Sequence, residues 1–182
     1  MAEDYERFRR LLVSMLQNKW EVQVQDIREV SDGLEAVHEA QRLQPDLILL
    51  DIGLPTLNGI EAARQICKLS PTSKIVFVTQ ESSAEMVNEA LNIGACGYVV
   101  KADVGNELLA ALTAVLRGER FIGRRFAGYE FGDAKNLRTR DGGSHSVVPS
   151  SSIPAPIPIT ESSHLRTSLG RSSLVRRNIF RE

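Results

Sequence analysis

The sequence predicts a doubly wound α/β fold, because strand-length apolar runs alternate with helix-length amphipathic segments and three of those runs end in polar groups. The clearest run, Leu47-Ile48-Leu49-Leu50, closes on Asp51 and then breaks at Ile52-Gly53-Leu54-Pro55 and Asn58-Gly59. A continuous apolar run of this length is expected of a parallel strand buried on both faces. In such sheets reactive groups gather beyond the carboxyl ends of the strands, where Asp51 would stand. The plainer alternative for Asp51 is an aspartate that terminates a strand and caps a turn.

The remaining elements follow in order. From Tyr5 to about Gln17, apolar residues at Phe8, Leu11, Leu12, Met15 and Leu16 have the spacing of one helical face. Trp20 to Val30 alternates as a strand, with Val22, Val24 and Ile27 toward the core. A second helix follows Ser31-Asp32-Gly33, directs Leu34, Val37, Ala40 and Leu43 inward, and stops at Pro45. After the Asp51 strand come a helix over 60–69, a strand over 74–79, a helix over 84–93, a short strand over 97–100 and a last helix over 106–117.

Composition bounds the function. A chain of 182 residues, 42% hydrophobic and 25% charged, can bury one core of ordinary domain size. No stretch has the length of a membrane span, and acidic Glu3 and Asp4 near the start do not suit a secretory signal, so a cytoplasmic location is expected. Cys67 and Cys96 read as small core residues, and the three histidines form no ligand pattern. Residues 1–122 carry 12 basic and 18 acidic side chains, whereas 123–182 carry 10 and 5. From 141 onward the chain holds ten serines and four of the seven prolines without helical or strand period. A domain over 1–122 and a disordered Ser/Pro/Arg-rich tail over 123–182 are therefore expected. The dispersed arginines of that tail read as solvated, and no nucleic-acid or membrane partner is expected.

Chemistry emerges when the strand ends are taken together. Asp51, Thr79 and Lys101 each close a parallel strand, so all three fall on one rim, and Glu3-Asp4 join them if a strand precedes the first helix. Carboxylates, a hydroxyl and an ammonium in one place suit Mg²⁺ and a phosphoryl group. The ion prefers oxygen ligands, while the hydroxyl and the ammonium hydrogen-bond phosphoryl oxygens.

With these residues in hand, the chain resembles the receiver domain of two-component response regulators. The matching features are Glu3-Asp4, Asp51-Ile52-Gly53-Leu54-Pro55 with Asn58-Gly59, Thr79, and Gly97-Tyr98-Val99-Val100-Lys101. The resemblance implies a flavodoxin-like sheet of strand order 2-1-3-4-5. It implies Asp51 as acceptor of a phosphoryl group from a sensor histidine kinase or phosphotransfer protein. It further implies Mg²⁺ held by Asp4 and Asp51 directly, by Glu3 through water and by the carbonyl of Gly53. Lys101 would pair with the phosphoryl group, and Thr79 and Tyr98 would act as a switch pair. Each also has a plainer role: Lys101 as a solvated strand end, Thr79 as an ordinary strand residue, Tyr98 as packing.

Two departures from the family pattern matter. Only Met1-Ala2 precede Glu3, so the first, central strand is largely missing; its loss is expected to weaken the fold, hold Glu3-Asp4 loosely and leave a gap that invites another chain. Self-association is expected either there or through the last helix-strand-helix face. No amphipathic helix pair follows Ile122, so no DNA-binding output domain is expected. The alternative function is a degenerate receiver that serves only as an unphosphorylated interaction module; an enzyme is not expected.

Overall fold

A computed structural model describes residues 1–18 and 24–131. These belong to one of the chain's two compact units, and the second, 136–175, lies outside the described residues. The elements are α1 (Glu6–Asn18), α2 (Gly33–Leu43), β1 (Leu47–Leu50), α3 (Gly59–Leu69), β2 (Lys74–Thr79), α4 (Ala84–Ile93), β3 (Gly97–Val100), α5 (Val104–Leu116) and β4 (Phe121–Ile122). The four strands pair in parallel in the order β1-β2-β3-β4. Right-handed crossovers are the rule for such parallel connections, and each one here carries a helix.

Alternation along β1 divides the core into two layers. Ile48 and Leu50 pack with Ala36, Val37 and Ala40 of α2 and Ile60, Ala63 and Ile66 of α3, while Val87 and Leu91 of α4 join the same cluster. Leu47 and Leu49 pack on the opposite face with Leu12, Met15 and Leu16 of α1 and Leu108, Ala111 and Leu112 of α5. Burial on both faces is why these strands are uniformly apolar. The helices begin at side-chain caps: Asp32 accepts from the amides of Leu34 and Glu35, Asn58 from Glu61, and Ser83 from Met86. The Lys74 ammonium, at the start of β2, donates to the carbonyls of Val115 and Leu116 at 2.9 and 3.0 Å and so closes the negative end of α5.

The beginning of the chain is better held than expected. Ala2 bridges both Val30 and Leu50 in parallel. Its amide donates to Leu49 O and its carbonyl accepts from Asp51 N, while Met1 O accepts from Val30 N and Glu3 N donates to Val30 O, all at 2.9–3.0 Å. Met1-Ala2 thus occupy the central position between the 24–30 segment and β1, consistent with the 2-1-3-4-5 order. Glu3 is consequently fixed and only 1% exposed, correcting the expected looseness, whereas Asp4 lies at the surface. The α-amino group of Met1 donates to Arg28 O at 2.7 Å. Burial, assisted by Arg28 and opposed by Glu29, lowers its pKa to about 4.

Other expectations need adjustment. Leu11 and Leu34 are largely exposed; Ala36, not Leu34, completes the buried stripe of α2. Among the described residues of the 20–30 segment, Ile27 and Val30 are buried, while Val24 is half-buried; Trp20 and Val22 lie outside the described residues. Cys67 and Cys96 are half-buried and free. Packing also continues past the expected boundary at Ile122, because Phe126 is buried against Tyr98 and the chain is described through Phe131. The rest of the expected tail, 132–182, lies outside the described residues. No helix among the described residues is long and apolar enough to cross a membrane.

Candidate functional site

The pairing register sets the site. β1 runs beside β2 with Leu50 opposite Phe77, and β2 beside β3 with Thr79 opposite Val100. Asp51, Thr79 and Lys101 therefore emerge on one rim, and the Ala2 bridges bring Glu3 and Asp4 to it. There they border a cleft of about 390 Å³ lined by Asp4, Tyr5, Asp51, Ile52, Gly53, Thr79, Gln80, Glu81 and Lys101. Every residue predicted from the sequence for metal or phosphoryl contact lines this cleft or touches Lys101. Tyr98 lies beneath it.

Lys101 is the hub. Its Nζ lies 2.8 Å from Asp51 Oδ2, 2.9 Å from Glu3 Oε1 and 2.7 Å from Glu3 Oε2. Burial works to lower its pKa, but the hydrogen bonds and charges of Asp51 and Glu3 prevail and raise it. Burial raises the pKa of Glu3, against the opposing pull of Lys101. The ammonium also sits 4.9 Å from the centre of the Phe8 ring. Phe8 was read from the sequence only as part of the apolar helical face, and Arg9 was not singled out; Arg9 donates to Glu3 O at 2.7 Å and pins α1 to the acidic pair. The available signal was position: both lie in the first turns of the helix that follows Glu3-Asp4.

Loop geometry holds the Asp51 backbone in place. Gly59 N–H donates to Ile52 O at 2.9 Å, and the turn closes so tightly that a Cβ on Gly59 would lie 1.9 Å from Asp51 O. Glycine is needed there for close approach. Carboxylate oxygens of Glu3, Asp4 and Asp51 lie within 4.8 Å of one another. An all-oxygen donor set with one solvent-exposed member suits a hard cation that keeps several waters, so the residues fit Mg²⁺.

A second connection leaves the cleft. Thr79 Oγ1 accepts from Glu81 N at 3.3 Å, and Tyr98 OH donates to Glu81 O at 3.0 Å. Tyr98 is fully buried, and burial, then the charges of Glu81 and Asp51, raise its pKa above the usual phenol value. The predicted pair Thr79 and Tyr98 thus meets through Glu81, a link the spacing of the two residues does not reveal.

Comparisons with known proteins agree with this geometry. The family model for the response regulator receiver domain matches residues 1–113. The chain is 33% identical over 128 residues to the transcriptional regulatory protein LiaR of Bacillus subtilis, covering 70% of this chain and 60% of that protein. It is 36% identical over 87 residues to the chemotaxis protein CheY of Thermotoga maritima, covering 48% and 72% respectively. Among solved structures, a LuxR-family two-component response regulator from Aurantimonas sp. SI85-9A1 superposes with a TM-score of 0.61 at 28% identity, covering 66% of this chain and 84% of that one. The response regulator domain of Thermotoga maritima CheB gives 0.52 at 29% identity, covering 65% and 92%. The chain spans roughly half the length of the transcriptional regulators it matches, 42% of YxjL and 60% of LiaR, both of Bacillus subtilis. A family match across more than half of the sequence, carried by a doubly wound parallel sheet with its acidic cluster at the strand ends, places this chain in the response regulator receiver domain family.

Proposed function

We propose that this chain is a phosphoacceptor switch in which Asp51 takes a phosphoryl group from the phosphohistidine of a sensor kinase or phosphotransfer protein. The observation that carries this reading is Lys101, held between Glu3 and Asp51 at the rim with Asp4 beside it. An Asp51 carboxylate oxygen attacks phosphorus, the P–N bond to imidazole breaks, and an acyl phosphate forms while the released imidazole takes up a proton. Lys101 then neutralises phosphoryl charge by turning from its two carboxylates to the new oxygens. The Thr79 hydroxyl donates to the same group. When bound, Mg²⁺ supplies positive charge to phosphoryl oxygens; Asp4 and Asp51 would hold it directly, Glu3 through water, and Gly53 by its carbonyl.

The proposed relay is cytoplasmic and works between proteins, without nucleic acid. Receiver domains as a family are signalling regulators that interact with histidine kinases or phosphotransfer proteins. The alternative, an unphosphorylated interaction module, rested on an incomplete first strand and metal site. The burial of Glu3 and its backbone bond to Val30 support the phosphoacceptor reading instead.

Incubation with Mg²⁺ and acetyl phosphate tests it. One acid-stable but base-labile and hydroxylamine-labile group should appear on the wild-type chain and vanish in Asp51→Asn. Labelling that persists in the variant, or none in the wild type, removes the assignment.

A further inference from the structure

Helix α5 carries one side chain that its pattern does not call for. Its buried stripe runs through Val104, Leu108, Ala111, Leu112 and Val115, and Glu107 stands in the same stripe, only 6% exposed. A carboxylate buried there loses its hydration and needs hydrogen-bond donors in return. Oε1 has one, because the Arg124 N–H donates to it at 3.0 Å. Oε2 is buried with no hydrogen-bond partner. A Cβ at position 123 would lie 2.6 Å from Oε2, so glycine lets the carboxylate occupy this place.

Glu107 lines a cavity of about 400 Å³ together with Asp103, Asn106, Arg124 and Arg125, none of which borders the Asp51 cleft. Its two acidic and two basic side chains balance in formal charge. Asp103 and Arg125 neutralise each other at 3.1 Å. That leaves Glu107, the Asn106 carboxamide and the Arg124 guanidinium, which makes no ion pair among the described residues. An anion entering alone would meet the Glu107 carboxylate, and a cation alone would meet Arg124. A small molecule carrying both charges avoids each repulsion.

We propose that this cavity is a second ligand site that takes the zwitterion of a free α-amino acid. The ammonium donates to Glu107 Oε2 and to the Asn106 side-chain oxygen, and the carboxylate accepts from the Arg124 guanidinium. Each end then makes a charge-assisted hydrogen bond, and the ammonium supplies the donor that Oε2 lacks. Burial of Glu107 strengthens that pairing, since little water competes for the oxygen. The volume falls within the range of small-molecule sites and leaves room for a short side chain. This site goes beyond the phosphoacceptor reading and stands without it.

The experiment titrates the full 182-residue chain with glycine, followed by amide NMR, with methylammonium and acetate as the two halves of the ligand. Saturable shifts at the Gly123 and Arg124 amides are expected, with half-saturation at about 1–10 mM, the affinity of a few charge-assisted contacts. Methylammonium and acetate should each bind about tenfold more weakly, because neither engages both ends of the cavity. Arg124→Ala, at an exposed position, should weaken glycine binding about tenfold. Glu107→Gln keeps an acceptor for the Arg124 amide and should abolish binding. No saturable shift in the wild type overturns the site, even if Glu107→Gln does not fold. Methylammonium binding as tightly as glycine, or an unchanged affinity in Arg124→Ala, overturns the zwitterion.

Discussion

Lys101 and Asp51, fifty residues apart in sequence, meet at 2.8 Å between Nζ and Oδ2 at the ends of two strands separated by β2. The same ammonium reaches Glu3 from the other side. One cation therefore balances two buried carboxylates, and the site's response to substitution follows from that balance.

Lys101→Ala leaves Glu3 and Asp51 without their counter-charge. The metal-free protein should lose about 2–3 kcal/mol of stability, somewhat below a fully buried pair because Lys101 is partly exposed. Mg²⁺ should bind at least as tightly as in the wild type, since a competing cation is gone, while beryllofluoride binding should fall sharply. Denaturant titrations with and without Mg²⁺, together with calorimetry, check both; weaker Mg²⁺ binding would contradict the balance.

Phe8 lies against that ammonium at 4.9 Å. Replacing it by Leu keeps an apolar side chain but removes the ring quadrupole, worth about 1 kcal/mol at a partly desolvated site. Stability of the metal-free chain should fall by about 1 kcal/mol in Phe8→Leu and be largely retained in Phe8→Tyr, as read by urea unfolding. Equal stabilities for the two variants would assign the ring a packing role only.

Gly59→Ala would place a methyl 1.9 Å from Asp51 O, so the turn must open. A loss of about 2–4 kcal/mol is expected from this backbone conflict. The midpoint of urea unfolding should shift accordingly, and Mg²⁺ binding should weaken because Asp51 moves with its carbonyl.

The Met1 amine sets a pH dependence. Its pKa is about 4 in the folded chain and 8.0 when unperturbed. Between those values the unfolded chain binds a proton that the folded chain does not, so this group makes stability rise with pH, by up to about 1.4 kcal/mol per unit. The raised pKa of Glu3 acts oppositely above 4.5, because there the folded chain holds the extra proton. Placing about five Val/Ile/Leu residues before Met1 converts the amine to an amide and should remove the rising component. Stability curves of the two chains between pH 4 and 8 isolate it; parallel curves would show that the amine is solvated.

A chain ending at Phe131 should be more stable than one ending at Ile122 by about 2–3 kcal/mol, the worth of burying an aromatic side chain such as Phe126. Thermal unfolding of the two truncations measures this, and equal midpoints would restore the boundary expected from composition.

Much of this protein was legible in its residues. The strands 74–79 and 97–100 and the helix 84–93 were expected with the bounds observed, because each is a dense apolar pattern that opens at or just after Ser or Gly. Asp51, Thr79 and Lys101 were placed on one rim for a local reason: each closes or directly follows its strand, and parallel strands put like ends together. The sequence was less informative where burial depends on distant partners. Leu34 has the right spacing but meets solvent, while Phe126 sits in a stretch without periodicity and is buried.

What the sequence by itself determined is therefore the alternation of elements, the family and the identity of the polar groups at the strand ends, since these are set by local pattern and chain direction. Tertiary structure alone decided that Met1-Ala2 take the central strand position, that Lys101 bridges Glu3 and Asp51 over the Phe8 ring, and that the segment after α5 returns to cover Tyr98. Those contacts join residues 27 to 98 positions apart. Their free energy comes from burial and hydrogen bonds that exist only once the sheet has closed, and no local period records them.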